Sequence, residues 1–401
     1  MRGGRSGFNA AQLTLSKGRP PNTMLTQLET SDTYEIVTNL ESLRLLQEDW
    51  DALVARSPGH YLGQTFGWAL ISWENICKPR KRRLHCLVAR RNGRVGLIWP
   101  FVKYRGRLHS IAHPLGSETS EYSTVLIETC VDAEQRITNA LKLLRITCKC
   151  DRLEIPNVRA DCILGSVLSQ SAAVAVYTHQ TPWVSWAGII SWEIYLNKIG
   201  KTIRNGLKRK LRRLEEKGEV RFQVVNEPAQ CDAILDWMIV QKRTWLEKSR
   251  LYNDWIFTPE YRAFLHASIM LFAPSGQRMI FTLELNGRVI AAELSSVDRS
   301  RVEWFMGAYD IEYGKHSPGQ LLKMECLRWS FDRGLNYDFR PGNEPEKFIW
   351  SNCNGEATNY VLVNAWGAIY VFGEKARIAA ARFLAPELKA TVKAFLRRPR
   401  Q

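Results

Sequence analysis

The chain has no apolar run long enough to cross a bilayer. Its longest, Tyr360 to Phe372, is interrupted by Asn364 and falls short of the roughly 20 residues a membrane-spanning helix needs. It has no C-x-x-C pair either. Its nine cysteines are scattered and odd in number, and Cys148 and Cys150 sit too close for an ordinary metal-ligand spacing. This pattern reads as a reducing, cytoplasmic compartment with no metal expected. Acidic residues are missing from the first 28 positions, which carry Arg2, Arg5, Lys17 and Arg19. A transit peptide would share that bias, but there is no apolar h-region and Pro20-Pro21 intervenes, so residues 1–33 are read as a disordered N-terminal extension. Secretion and stable membrane insertion are not expected.

What is present is length, charge and enough apolar content for more than one core. A chain of 401 residues with 45% hydrophobic content exceeds the usual single-domain size. The net charge of +16 favours anionic partners, among them nucleic acid, a phosphate-rich cofactor, an acidic polysaccharide or an acidic membrane surface.

Periodicity divides the chain into strands and helices. A strand at Tyr34–Val37 precedes a helix with Leu43, Leu46, Trp50 and Leu53 on one face; strands follow at Leu84–Arg90 and Arg94–Pro100. Between those two strands, Asn92-Gly93 is a two-residue hairpin signal, since both residues tolerate positive φ. A helix around Ala133–Cys148, a strand at Arg152–Ile155 and a helix around Cys162–Ser171 come next. From Ser191 to Gly218 the composition shifts: nine Lys and Arg between Lys198 and Lys217 face only Glu193, Glu215 and Glu216. Apolar Ile203, Leu207, Leu211 and Leu214 form a stripe on this segment, which therefore reads as a docked interdomain helix with an outward cationic face.

Beyond Glu219 the order is a strand (Val220–Val225), helices at Ala229–Lys248 and Pro259–Phe272, and strands at Met279–Leu285 and Val289–Val297 joined by Asn286-Gly287. A third antiparallel strand, Arg301–Tyr309, leads to a helix from Pro318 to Arg333 and a short strand at Tyr337–Arg340. Thr358–Asn364 and Ala368–Phe372 are expected to close the sheet as a final pair. Three consecutive antiparallel strands followed by one βαβ crossover form an unusual order among α/β folds, and it is the layout of the GNAT acetyltransferase domain.

The stretch from Tyr34 to Phe372 resembles the CelD-type acetyltransferase family, tied to cellulose and exopolysaccharide synthesis and related to FemAB-like double-GNAT proteins. The carrying residues in the first half are Trp50, Gln64-Thr65-Phe66, Trp68, Gly96 to Pro100, Leu115-Gly116 and Glu121-Tyr122. In the second half they are the basic helix ending at Gly218, Ser317-Pro318-Gly319, and Asp338, Phe339, Gly342, Glu344, Pro345 and Lys347. Glu346 stands where the family has Tyr, and Pro341 enters before Gly342. The fold expected is therefore α/β (α+β): two tandem GNAT-like domains, each a mixed, mostly antiparallel sheet flanked by helices. Residues 34–190 form the first and 219–373 the second, with a basic interdomain helix at 191–218 and a basic helical tail at 374–401.

This layout places the chemistry where the strands Arg301–Tyr309 and Tyr337–Arg340 would splay apart. Gly307 is a candidate bulge there, or simply a glycine tolerated near a strand end. Lys315, His316, Ser317, Gly319 and Gln320 surround the start of the crossover helix, where free N–H groups suit a diphosphate. Ser317 to Gln320 also spells a capping box, and the Arg/Gln-x-x-Gly-x-Gly/Ala pattern of GNAT loops is missing. Glu344 and Asp338 are the candidate catalytic carboxylates, and Arg340, Lys347 and Trp350 the candidate substrate contacts. Glu344 and Lys347 also read as an ordinary surface pair. The resemblance implies acyl transfer from acyl-CoA to an amine or hydroxyl of a sugar, nucleotide sugar or exopolysaccharide precursor. A FemAB-like transferase using aminoacyl-tRNA, held by the basic helix of residues 198–217, and a non-catalytic accessory protein of exopolysaccharide biosynthesis are the alternatives.

Overall fold

The computed structural model describes residues 32–369 except 58, 107 and 250–254, together with 371–373, 376 and short strands at 13–14 and 24–27. The basic tail expected at 374–401 lies outside the described residues apart from 376, and so does most of the extension at 1–33. Strands β1 (Leu13–Thr14) and β2 (Met24–Gln27) pair in sequence onto β3 (Asp32–Val37), which leaves β1 at the edge of the sheet.

The first repeat continues with helices α1 (Leu40–Arg44), α2 (Gln47–Ala55) and α3 (Phe66–Ser72), and then strands β4 (Arg83–Arg91), β5 (Arg94–Arg105), β6 (Ser110–Pro114) and β7 (Leu126–Ile127). Helix α4 (Ala133–Cys148), strand β8 (Arg152–Arg159), helix α5 (Ile163–Ser169) and strand β9 (Val174–Val184) complete it. Helices α6 (Trp192–Lys198) and α7 (Lys201–Glu215) form the basic connection. The second repeat holds β10 (Val220–Val225), α8 (Pro228–Lys248), α9 (Pro259–Phe272), β11 (Arg278–Leu285), β12 (Arg288–Val297) and β13 (Arg301–Tyr309). It ends with α10 (Pro318–Asp332), β14 (Asn336–Asp338), α11 (Pro345–Trp350) and β15 (Cys353–Val363).

Local sequence accounts for most of these boundaries. Asn92-Gly93 and Asn286-Gly287 turn the β4–β5 and β11–β12 hairpins with φ of 51° and 79°, and 52° and 76°, the left-handed pair that a type I′ turn requires. Pro228, Pro259, Pro318 and Pro345 each open a helix, where a missing N–H costs nothing. Asn39, Thr65, Ser191 and Thr258 cap helix starts with side-chain oxygens that accept backbone N–H bonds.

The two repeats follow the same plan. In each, antiparallel strands lead to one parallel pair, β6 with β8 (Ile111 opposite Arg152) and β13 with β14 (Val302 opposite Tyr337). All strands join one mixed sheet in the order β1-β2-β3-β4-β5-β6-β8-β15-β9-β14-β13-β12-β11-β10, with β7 on β5. The end of the chain corrects the expected closing hairpin. Strand β15 runs to Val363 and inserts between β8 and β9 of the first repeat, and residues 365–369 are helical. Asn364 causes the switch: its side chain accepts the Gly367 N–H at 2.8 Å, its carbonyl accepts from Ala368 at 3.0 Å, and its amide reaches Asp151 at 2.9 Å.

Apolar packing fuses the repeats. Trp68 of α3 meets Phe264 of α9 edge-on with centroids 5.2 Å apart, inside a core shared with Leu235, Met238 and Ile239 of α8. In the first repeat, buried His85 donates to or accepts from Thr147 Oγ1 at 2.9 Å, and burial, with Lys103 nearby, lowers its pKa from 6.5 to about 4. The imidazole is thus neutral in the fold and protonates in the unfolded chain below pH 6.5, so this site removes stability as pH falls. By linkage the loss approaches about 3 kcal/mol near pH 4. His85→Gln is expected to flatten the acid arm of the stability profile between pH 6.5 and 4 by about that amount in urea titrations. An unchanged arm would refute the assignment.

Candidate functional site

A cavity of about 310 Å³ opens where β13 and β14 part. The two strands pair through only three positions, Arg301–Asn336, Val302–Tyr337 and Glu303–Asp338, after which β13 continues for six residues without β14. The wall takes Trp304, Gly307 and Tyr309 from β13 and Phe339 from beyond β14. It takes Gln241, Lys242 and Trp245 from α8 on one side of the sheet and Leu322 and Lys323 from α10 on the other. The cavity therefore passes through the sheet.

The bulge in β13 falls at Phe305, not at Gly307: Met306 faces Leu294 while Trp304 faces the next residue, Ser295, leaving Phe305 unpaired. Gly307 lies opposite Glu293, and a Cβ placed on it would sit 3.4 Å from Trp304 Nε1. Its lack of a side chain keeps the passage open. Asp310 donates its N–H to Ile290 on the β12 side at 2.9 Å, so strand alternation turns the Gly307 and Tyr309 N–H groups to the opposite edge, where β14 has ended.

The start of α10 is not closed by a capping box. Ser317 lies at φ 48° and makes no side-chain cap. Its hydroxyl instead accepts from Lys210 of α7 at 2.6 Å, while Gln320 Oε1 accepts from Trp350 Nε1 at 2.8 Å. Gly314, Ser317, Gly319 and Gln320 all line the cavity, so the positive end of a 15-residue helix faces it. Lys315 is exposed on the preceding turn. His316 lies beneath that turn, 5% exposed, with no partner for Nε2 among the described residues. Burial, then the neighbouring Lys217, Lys315 and Arg213 charges, lower its pKa, so His316 is neutral at pH 7 and adds no charge to the helix end.

Of the carboxylates singled out in the sequence, neither lines the cavity. Asp338 is buried between the repeats, accepting from Tyr122 Oη at 3.0 Å and the Arg340 N–H at 2.7 Å. Glu344 pairs with Lys347 at 3.0 Å. Partial burial opposes its ionisation, but the charge and hydrogen bond of Lys347, with a backbone N–H and His179 adding to them, together lower its pKa. Lys347 and Trp350 are in the wall, and Arg340 is at the repeat interface.

The cavity floor carries a cluster that sequence reasoning missed. Glu293 of β12 accepts from Lys323 Nζ at 2.5 Å, from Ser295 Oγ at 3.0 Å and from the Tyr337 hydroxyl. Lys323 also donates to Tyr337 Oη at 2.6 Å. Burial, then the Glu293 charge, raise the Tyr337 pKa far above the ordinary phenol value, so it remains a donor. Two of the three Lys323 N–H groups are thereby occupied, and the ammonium is fixed in the wall with one donor remaining. The available signal was an acid inside the otherwise small and apolar run Val289–Ser296, at an inward position. On the opposite wall, burial lowers the pKa of Lys242, with Glu346 and Glu344 opposing.

Residues 201–347 match the family model described as the Acetyltransferase (GNAT) domain. Among solved structures, the chain is similar to one titled FemX at 12% identity, covering 82% of this chain and 98% of that one with a TM-score of 0.59. It is similar also to a conserved protein of unknown function from Bacteroides thetaiotaomicron at 12% identity, covering 82% and 99% with a TM-score of 0.52. Among curated proteins, none matches the chain. The second repeat is a GNAT-type acyltransferase domain, within a mixed α/β chain of two GNAT-like repeats. Among the described residues no cluster suits a metal ion, and no helix is long and apolar enough to cross a membrane.

Removing the Lys323 charge would leave Glu293 buried without a counter-ion. Lys323→Met is expected to lower stability by about 3–5 kcal/mol in denaturant titrations, and Tyr337→Phe by about 1 kcal/mol. Equal, negligible losses for both would contradict the paired reading of this cluster.

Proposed function

We propose that this chain transfers an acyl group from an acyl-CoA thioester to an amine or hydroxyl of a sugar, nucleotide sugar or exopolysaccharide precursor in the cytoplasm. The observation that carries the reading is the through-sheet cavity at the β13–β14 divergence. An extended pantetheine arm carries amides that complement the free edge of β13. Gly307 and Tyr309 supply N–H donors there, and the unfilled position at Gly307 supplies room. The first turn of α10, with Lys210 and Lys315 beside it, offers dipole and charge to a diphosphate.

At the reacting carbonyl, a backbone N–H of β13 and the remaining Lys323 donor are suited to receive the oxyanion of a tetrahedral intermediate, being fixed in advance by strand and ion pair. The acceptor must lose a proton. Lys242, whose pKa burial depresses, and Glu346 are the titratable groups of the opposite wall; Glu344 lies just outside it and is weakened as a base by Lys347. The acceptor class follows the CelD-type motif through Asp338, Gly342, Glu344 and Lys347.

A second reading, an aminoacyl-tRNA donor, draws on α7. Its Lys208, Arg209, Arg212 and Arg213 are exposed beside Lys210 at the cavity mouth. It would produce tRNA retardation that falls steeply with salt. A chain that binds neither donor would be the accessory protein.

Gly307→Val separates these cases, because it fills the passage without touching α7. Isothermal titration is expected to give micromolar coenzyme A affinity for the native chain and at least a tenfold loss (about 1.4 kcal/mol) for Gly307→Val. No measurable affinity in the native chain, or equal affinity in both, would overturn the thioester reading.

A further inference from the structure

Behind the slot, on the side facing the first repeat, Arg278 of β11 is fully buried. Its Nη1 donates to Ser296 Oγ at 2.7 Å, but Nε and Nη2 have no hydrogen-bond partner among the described residues. Among the described residues no carboxylate forms an ion pair with it. Its guanidinium stacks 3.9 Å from the centroid of Phe305, and a second guanidinium, Arg340, lies 4.3 Å from the same ring. The other cations of this interface are matched: Arg301 by Asp298 at 2.9 Å and Arg159 by Asp161 at 2.6 Å. Arg340 has Glu303 at 3.0 Å and only a long contact, 3.8 Å, to half-exposed Glu121. Glu303 is therefore the close carboxylate of Arg340, while Arg278 has none of its own among the described residues and keeps two N–H groups unspent.

We propose that Arg278 and Arg340 form a binding site for an oxyanion, carboxylate or phosphate, borne by the acyl acceptor; this rests on the acyl-transfer reading above and deepens it. Three features support it. First, Arg278 is a buried charge with unspent donors, and such a group is strongly disfavoured unless an anion completes it. Second, the shared ring belongs to Phe305, the bulged residue two positions before Gly307, so the site adjoins the slot where the acceptor must reach the thioester. Third, Arg340 is held at φ 65°, a backbone state that a non-glycine residue rarely adopts, with its N–H tied to Asp338. Its guanidinium lies on the same Phe305 ring as that of Arg278, within range for the two charges to repel. The groups facing Arg278 are Arg340, Tyr261 and Glu303, and burial, then Arg340, lower its pKa to about 9, which leaves it charged at neutral pH. Trp68 from the first repeat lies 5.4 Å away, so the site is completed only by both repeats.

The test is thermal unfolding of the full chain in inorganic phosphate, in acetate and in chloride at matched ionic strength. Phosphate, acetate or both are expected to raise the native Tm above chloride, and the better ion indicates which oxyanion the acceptor carries. R278M should lose most of that rise and, without anion, be at least as stable as the native chain; K210Q, which alters only the α10 end, should keep the Arg278 part. No rise in the native chain, or a rise kept in R278M and lost in K210Q, overturns the proposal. Should R278M fail to fold, R340Q and the native-chain arm decide it. Acetyl transfer to glucosamine 6-phosphate and to glucosamine supplies the link to activity, with KM at least tenfold lower for the phosphate in the native chain and equal in R278M. Equal native values defeat the anion site while leaving acyl transfer standing. Absent transfer to both, with the phosphate stabilisation still dependent on Arg278, defeats acyl transfer and leaves the anion site standing.

Discussion

Three positions of parallel pairing hold β13 to β14, and the direction the chain takes after Asp338 decides everything built around them. Phe339 donates its N–H to Pro182 and Gly342 donates to Gln180, so the segment turns toward β9 and away from β13. Pro341 has no N–H with which to extend a ladder, and Arg340 before it sits at positive φ. β13 is left with an unpaired edge in the interior, and the space beside it is not refilled because Gly307 carries no side chain.

That divergence depends in turn on the first repeat. β9 supplies the partner that draws the β14 end aside, and β15 returns between β8 and β9 of the first repeat to hold β9 in place. Tyr122 and Arg159 grip Asp338 from the same side. In the first repeat, a void of about 40 Å³ lined by Trp50, Trp99 and Tyr122 is too small for an extended ligand. At this place the first repeat is nearly filled and the second is open.

Local features were legible in the sequence. The two Asn-Gly turns, the helices at Ala229–Lys248, Pro259–Phe272 and Pro318–Arg333 and the strand order from Val220 to Tyr309 follow from short-range chemistry, and the reading placed them within a residue or two. It did not place β6, β7, β9 or the helix opened by Pro345, and it cut β5 and β8 short. The insertion of β15 was not legible, because its partners are some 200 residues distant and a strand pattern carries no address. Gly307, Ser317, Gly319, Gln320, Lys347 and Trp350 do meet at one cavity, since the crossover brings the helix start and the post-β14 segment together. Glu293, Lys323 and Tyr337 escaped notice because each lies in a different element and looks ordinary alone. The capping motif misled for a related reason: Lys210 and Trp350, remote in sequence, take the atoms a local box would have used.

Hydrogen exchange read by mass spectrometry over residues 304–309, with and without acetyl-CoA, addresses the open strand edge most directly. The account requires the Gly307 and Tyr309 amides of this segment to exchange in the free chain and to become protected when the thioester is added, while the β11–β12 hairpin stays unchanged. Full protection of 304–309 in the free chain, or no change on adding acetyl-CoA, would contradict it.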